Sequence, residues 1–428
     1  LSFNADIFFV FFGLLSLYYL IMYLLSFKKF NTPASDHNEL GFVLFVPALN
    51  EAKVIGDTCA QLNTLHARLH VVVINDGSDD GTGNVVRGYE GDRIHLFERK
   101  APEARQGKGM ALNMAYAWAQ TQFKTWFPDL RDDQIIVGVT DADVFLHQNV
   151  ITEVASTFQS ASDVGAVQVP VSIKGANENL WLLMQDIEFQ AFFLFIQKAR
   201  NWISSVAMGG NGQFTRYSAM KTLGNRPWTR ALTEDIDLGL ALTGQGHRIC
   251  FTGKTPVVQH GLTSFYRLLK QRSRWVQGHY QVWKRLGSLW RSESRLITKV
   301  DSTLYLMMIV IPLVLAANYA LGIASMFGWV RVDSDLMFWL HGFGSWVPST
   351  VQMVLGFSIQ LIFLPSYTRV TNIKIPWYVA PGLMATFSIY TAAIWILASV
   401  IAFYRMATGK WGWIKTEREA ISTSKVSI

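Results

Sequence analysis

No charged residue interrupts the stretch from Ile7 to Phe27, which is long enough to cross ~30 Å of hydrocarbon as a helix. It ends on Lys28-Lys29 and has neither the basic leader nor the small-residue cleavage site of a signal peptide. The pattern therefore predicts a retained span whose C-terminal end lies in the cytoplasm. The sequence opens on Leu1, which leaves room for a preceding segment. After a polar linker, short runs rich in β-branched residues recur at Gly41–Val46, Leu69–Ile74, Ile94–Phe97 and Gln134–Val139, each expected as a buried strand. Pro47 is expected to end the first of them. Helical stretches lie between: one opening at Ala48-Leu49-Asn50-Glu51 and reaching Leu65, one after the turn Asn75–Thr82, one from Gln106 through Ala119. Strands alternating with helices imply a mostly parallel sheet covered on both faces.

Beyond about residue 160 the pattern changes. Val164–Val171 reads as a strand, Leu180–Ala199 as one long aromatic-rich helix, Gly209–Phe214 as a glycine-rich turn, and Leu232–Leu238 as the opening of a helix. Ser264–Leu289 is amphipathic and basic, with Trp275 and Trp283 along it and Trp290 just beyond, the profile of a helix lying at a membrane surface. Leu304–Val330 and Tyr378–Met406 are expected to span the membrane. Trp346–Pro365 holds Pro348, Gln352, Ser358 and Gln360 and is expected to be re-entrant or interfacial. A third C-terminal span would carry the basic tail (Arg405, Lys410, Lys415, Arg418, Lys425) away from a cytoplasmic domain, against the positive-inside rule. The expected organisation is a transmembrane helix in 1–30, an α/β domain in 31–262, interfacial helices in 263–300, and a membrane region with a basic tail in 301–428.

Composition agrees. Half of the residues are apolar and only 16% are charged, against roughly 25% in a soluble domain. The formal charge of +7 gathers beside the apolar segments, which points to phospholipid headgroups and away from nucleic acid. Cys59 and Cys250 have no metal or redox spacing and suit a reducing compartment.

The chemistry gathers at strand ends, where ligands of parallel sheets bind. Asp141 and Asp143 follow the strand ending at Val139. Two such carboxylates either cap the next helix or hold a hard ion such as Mg²⁺ or Mn²⁺. Five elements line up in order: Asn50-Glu51, Asn75-Asp76-Gly77-Ser78, Asp141-Ala142-Asp143, Thr233-Glu234-Asp235 and Gln271-Arg272-Ser273-Arg274-Trp275.

Over roughly residues 41–290 this ordered set resembles the membrane-embedded, processive family-2 glycosyltransferases, the group of cellulose, hyaluronan, chitin and poly-N-acetylglucosamine synthases. The resemblance implies a GT-A-like nucleotide-sugar-binding domain set between transmembrane helices in the plasma (inner) membrane, with its catalytic face cytoplasmic. It implies a uridine pocket at Asn50, Glu51 and Asp76, diphosphate contacts from Lys108 and Arg274, a nucleotide-sugar contact at Asp141, and Asp143 as ligand of Mg²⁺ or Mn²⁺. Asp235 becomes the candidate general base, with Glu234 orienting the acceptor. Gln271 and Trp275 would meet the acceptor sugar, together with Gly210, Asn211 and Gln213 of the glycine-rich turn, whose wording departs from the hyaluronan and cellulose synthase forms. His260 and His279 read as ordinary packing histidines. The function so implied is an inverting β-glycosyltransferase that polymerises UDP-glucose or UDP-N-acetylglucosamine and passes the chain through its own spans. The alternative adds one or a few sugars to a membrane lipid. The channel version expects polar and aromatic walls, from Tyr305, Asn318, Tyr319, Gln352 and Gln360. Beyond the UDP-sugar, acceptor and bilayer, an accessory subunit or a homo-oligomer stays open, and no nucleic acid is expected.

Overall fold

The computed structural model describes residues 2–4, 6–28, 39–65, 68–333, 364–371 and 373–412. Seven strands form the main sheet in the order Arg248–Phe251, Val164–Gln168, Gln213–Arg216, Ile135–Val139, Gly41–Ala48, Leu69–Asn75, Ile94–Glu98. Every neighbouring pair is parallel except those of Gln213–Arg216, which runs antiparallel to both of its neighbours. The interior strands carry almost nothing but buried apolar side chains, because helices cover both faces. This is the mostly parallel sheet that the alternation implies, and it agrees with the GT-A-like domain that the resemblance implies.

Three details depart from the pattern reading. Pro47 does not end its strand, which continues to Ala48. On one side the ladder with Ile135–Val139 has already ended at Phe45, so the missing N–H of Pro47 breaks no bond there. Val164–Val171 is two strands: Val169-Pro170 bends the chain out of the main sheet, and Val171–Lys174 joins Val257–His260 and Val144–Phe145 in a small second sheet. The long aromatic helix is Leu180–Ala191, a π-helical turn at Phe192–Gln197, and a short continuation at Lys198–Arg200. π-turns are rare and gather at functional sites.

Among the described residues, three helices are long and apolar enough to cross a membrane: Asp6–Ser26, Leu296–Met326 and Ala380–Ala407. The second begins earlier than Leu304 and stops at Met326, ahead of Gly328 with its positive φ of 70°. All but the last two residues of Trp346–Pro365 lie outside the described residues, as does the tail beyond Gly412. The chain leaving the last span turns back against the amphipathic helix Phe265–Val282, the one expected at the membrane surface. Gln277 donates from Nε2 to the Lys410 carbonyl (2.8 Å), and Arg405 donates to Gln277 Oε1 (3.0 Å) and the Gly412 carbonyl (3.0 Å). Arg405 and Lys410 therefore share the side of the α/β domain, the placement that the positive-inside rule requires if that side is cytoplasmic.

Buried polar pairs bind the spans to the domain. Arg200 meets Asp301 at 3.0 Å with both side chains buried, and the Tyr18 hydroxyl donates to the same aspartate at 2.9 Å. The Tyr367 hydroxyl donates to Asp186 at 2.9 Å.

Candidate active site

One cavity of about 880 Å³ lies where the C-terminal edge of the sheet faces the interfacial helices and the spans. It gathers Glu51, Asp76, Lys108, Asp141, Gly210, Asn211, Glu234, Asp235, Gln271, Arg274 and Trp275. Asn50, Asp143 and Gln213 are not on its wall.

At the strand ends the loops are knitted together. Asn50, held at a positive φ of 54°, donates from Nδ2 to Asp79 (2.7 Å) and accepts from the Asp79 backbone N–H (3.0 Å). Its side chain joins two loops and leaves the wall to Glu51. Asp76 is buried, ion-paired with Arg99, and accepts from the Arg105 backbone N–H at 2.9 Å.

The centre of the cavity is a cluster of charge. Lys108, the first residue of the helix Lys108–Trp126, reaches Asp141 (3.0 Å), Glu234 (3.6 Å) and the Gly210 carbonyl (3.0 Å). Burial works against its charge, but Asp141 and Glu234 hold its proton above the usual lysine range. Glu234 and Asp235 open the helix Glu234–Gly244 and are both buried. Burial, then the neighbouring charge of Glu234, pushes the Asp235 carboxyl up to about 7. Burial also raises Glu234, against the pull of Lys108. A Cβ on Gly210 would lie 3.4 Å from Asp235 Oδ2 and 3.6 Å from Lys108 Nζ, so the loop passes close over both.

That loop is fixed from below. Gln168 accepts from the Gly209 N–H (2.7 Å) and donates to the Asn211 carbonyl (2.8 Å). Asn211 Oδ1 accepts from Thr140 Oγ1 (2.9 Å), and Nδ2 donates to Gln259 (3.0 Å). Gln213 begins the antiparallel strand and is 1% exposed, which takes it away from any acceptor.

The helix Phe265–Val282 brings Gln271, Arg274 and Trp275 to the opposite wall. Gln281 accepts from the Leu232 N–H at 2.8 Å. Gly278 lies so close that a Cβ there would meet Thr233 Cγ2 at 2.5 Å and its backbone nitrogen at 2.7 Å. His279 also lines the cavity; its Nδ1 is 2.9 Å from the Trp275 carbonyl, and burial lowers its basicity, so the neutral ring packs edge-on against Tyr305. The motif reading passed over Arg272, Glu188, Gln259, Gln281 and Tyr19. Two of these carried a signal: Arg272 by standing inside the Gln271–Trp275 element, where it was given no role, and Glu188 as a carboxylate set among aromatics in Leu180–Ala199.

For the metal, Asp141 presents its carboxylate to the cavity and Asp143 stands two residues on, 5% exposed. No group of three or more His, Cys, Asp or Glu side chains forms a cage among the described residues. A Mg²⁺ or Mn²⁺ held by one or two carboxylates, with diphosphate oxygens and water completing the shell, fits this donor set.

From this cluster the cavity runs on between the spans. Its far part is walled by Met308, Ile309, Ile311, Pro312 and Leu315 on one side and Thr391, Ala392, Trp395 and Ile396 on the other, with Tyr19 of the first span and Tyr305 at the junction. Of the residues expected to line a channel, Tyr305 is on this wall, Asn318 and Tyr319 are not, and Gln352 and Gln360 lie outside the described residues.

The family model described as "Glycosyltransferase like family 2" matches residues 39–278. A beta-monoglucosyldiacylglycerol synthase of Trichormus variabilis is 30% identical over 245 residues, 56% of this chain and 48% of that protein. A poly-beta-1,6-N-acetyl-D-glucosamine synthase of Staphylococcus epidermidis is 25% identical over 271 residues, 62% of this chain and 61% of that one. The chain thus spans about half to three fifths of the length of these curated relatives. Among solved structures, a mannosyltransferase from Pyrobaculum calidifontis in complex with GDP-Man and Mn²⁺ superposes with a TM-score of 0.56 at 16% identity, covering 94% of this chain and 98% of that one.

Proposed function

The chain belongs to glycosyltransferase family 2, and we propose that it transfers a hexose from a UDP-sugar to a hydroxyl borne by a membrane lipid, at the cytoplasmic face of the plasma membrane. One observation carries the acceptor half of this reading: the cavity that holds Asp235 continues into a half-buried, largely aliphatic groove between Ile311–Met326 and Ala380–Ala407. An acyl chain is at home against Ile311, Leu315 and Ile396, and a hydrated polymer is not. The relative named for a glucosyldiacylglycerol product supports the same choice.

In the reaction, the acceptor oxygen forms a bond to the anomeric carbon as the bond from that carbon to the diphosphate breaks, with inversion. Asp235 takes the hydroxyl proton; a carboxylate poised near 7 is matched to that task. Glu51 and Asp76 offer carboxylate acceptors to the donors of uracil and ribose. Lys108 and Arg274 face the diphosphate, Arg274 as a planar fork suited to its oxygens. A Mg²⁺ or Mn²⁺ held at Asp141 and Asp143 would neutralise charge on the leaving diphosphate.

A second reading, polymer synthesis, draws support from the rings at the junction: Trp275, Tyr305, Trp395 and Tyr19 could stack on successive sugars. Filling the groove separates the two from the donor site. Leu315→Trp and Ala392→Trp should each reduce transfer to 1,2-dioleoylglycerol by on the order of tenfold, the effect of about 1.4 kcal/mol of overpacking. UDP binding should not change. Undiminished transfer in both variants would contradict the lipid groove.

A further inference from the structure

Trp275 enters the cavity with one face already occupied. The guanidinium carbon of Arg272 lies 4.0 Å from the indole ring centroid, and Phe189 meets the ring edge-on at 6.0 Å. Arg272 is fully buried, and a buried cation persists only where it is paired and hydrogen-bonded. Its partner is Glu188, reached by Nε at 3.3 Å and Nη2 at 2.9 Å, while Nη1 donates to Gln271 Oε1. The same carboxylate accepts from the Tyr390 hydroxyl at 2.8 Å and the Trp395 indole N–H at 2.9 Å. These donors converge from the interfacial helix and the last span onto the helix Leu180–Ala191.

We propose that Arg272, clamped by Glu188, is a positioning residue that fixes the plane of Trp275 and presents the other face of the ring to the acceptor at the mouth of the groove. A planar guanidinium stacks on an indole where an ammonium cannot, so the pair sets an orientation as well as a charge. Holding the ring before the acceptor arrives removes ordering cost from the binding step. Because Trp395 shares Glu188 and also lines the groove, ring and groove wall are held in one frame. The acceptor consequence rests on the lipid reading above; the immobilisation of the ring does not.

The test uses the full-length protein in detergent. Glu188→Gln combined with Arg272→Gln removes both charges together, so no lone buried charge is left to unfold the chain. With 5-fluorotryptophan incorporated, the resonance of Trp275 is the one of 15 that disappears in Trp275→Phe. It should be a single sharp line in the parent protein and broadened or split in the paired variant. With UDP-glucose as donor and 1,2-dioleoylglycerol in mixed micelles as acceptor, the acceptor KM should rise about tenfold, the scale of a desolvated cation–π contact. The kcat and the UDP-glucose KM should stay near their parent values. In a Trp275→Ala background the same paired substitution should add nothing further to the acceptor KM. An unchanged fluorine line, an additive effect in that background, or a matching loss of UDP-glucose binding would each overturn the proposal. If the parent protein transfers nothing to dioleoylglycerol, the lipid reading fails, and the fluorine line still decides the role of Arg272.

Discussion

Replacing Gly278 by alanine should disable the chemistry without touching a reacting group. The added methyl would meet Thr233 Cγ2 at 2.5 Å, the Thr233 backbone nitrogen at 2.7 Å and Oγ1 at 2.8 Å, where ordinary contacts begin at 3.4 Å. The shortfall is close to 1 Å, and one of the opposing atoms is backbone, so no rotamer change can absorb it. Overpacking of this kind costs about 1–3 kcal/mol. The strain falls on the residue immediately before Glu234-Asp235, and a misplacement of about 1 Å at a reacting centre can cost on the order of 10²-fold in rate. Gly278→Ala should therefore lower kcat by roughly that factor, with UDP affinity retained and the thermal midpoint lowered modestly. Thr233→Ser in the same protein should restore only part of the rate, since the backbone nitrogen remains in the way. Gly244→Ala, at the far end of the helix Glu234–Gly244 that Asp235 helps to open and with nothing within 4 Å, serves as the control and should behave like the parent. Parental kcat in Gly278→Ala would refute the claim that this contact sets the position of Asp235.

Three further outcomes follow from the site. The kcat/KM should climb with pH through about 7 and then level, because the proposed mechanism needs Asp235 without its proton. Its folded pKa lies above the ordinary aspartate value of 3.8, so the native state binds the extra proton, and this group's contribution to stability should fall as pH rises from about 4 through about 7 while activity increases. Asp235→Asn should keep UDP-sugar affinity and lose turnover by on the order of 10²–10⁴, checked by calorimetry and initial rates; equal loss of donor binding would make Asp235 part of the nucleotide pocket. Asp143→Asn should abolish transfer and weaken UDP binding in the presence of Mn²⁺ with the fold intact by circular dichroism, and full activity in EDTA would remove the metal from the account.

Much of the architecture was legible because burial imposes periodicity. Strands covered on both faces read as continuous apolar runs, and strand–helix alternation puts their C-terminal ends on one edge, so Asp76 and Asp141 had to arrive near each other. Where sequence reading faltered, the deciding contact was tertiary. Nothing local says that Gln213–Arg216 inserts antiparallel between two parallel strands, yet that insertion buries Gln213. Asn50 was legible as a member of a motif, but its tie to Asp79 was not, because the two loops meet only in the fold. Arg272 stood two residues before Arg274 in the same motif. Only the helix geometry shows that one faces the cavity and the other faces Glu188. Pro170 was readable as a break, but the second sheet that receives the outgoing strand was not.

The most direct test of the central claim is the product itself. Purified protein at limiting concentration, supplied with excess UDP-glucose or UDP-N-acetylglucosamine, Mn²⁺ and 1,2-dioleoylglycerol in mixed micelles, is sampled at early times and its products are sized by mass spectrometry. The lipid groove predicts a glycolipid that stops at one or two sugars while free acceptor is steadily consumed. Long glycan chains at early times, with most of the lipid untouched, would contradict it and return the enzyme to the polymerising branch of its family.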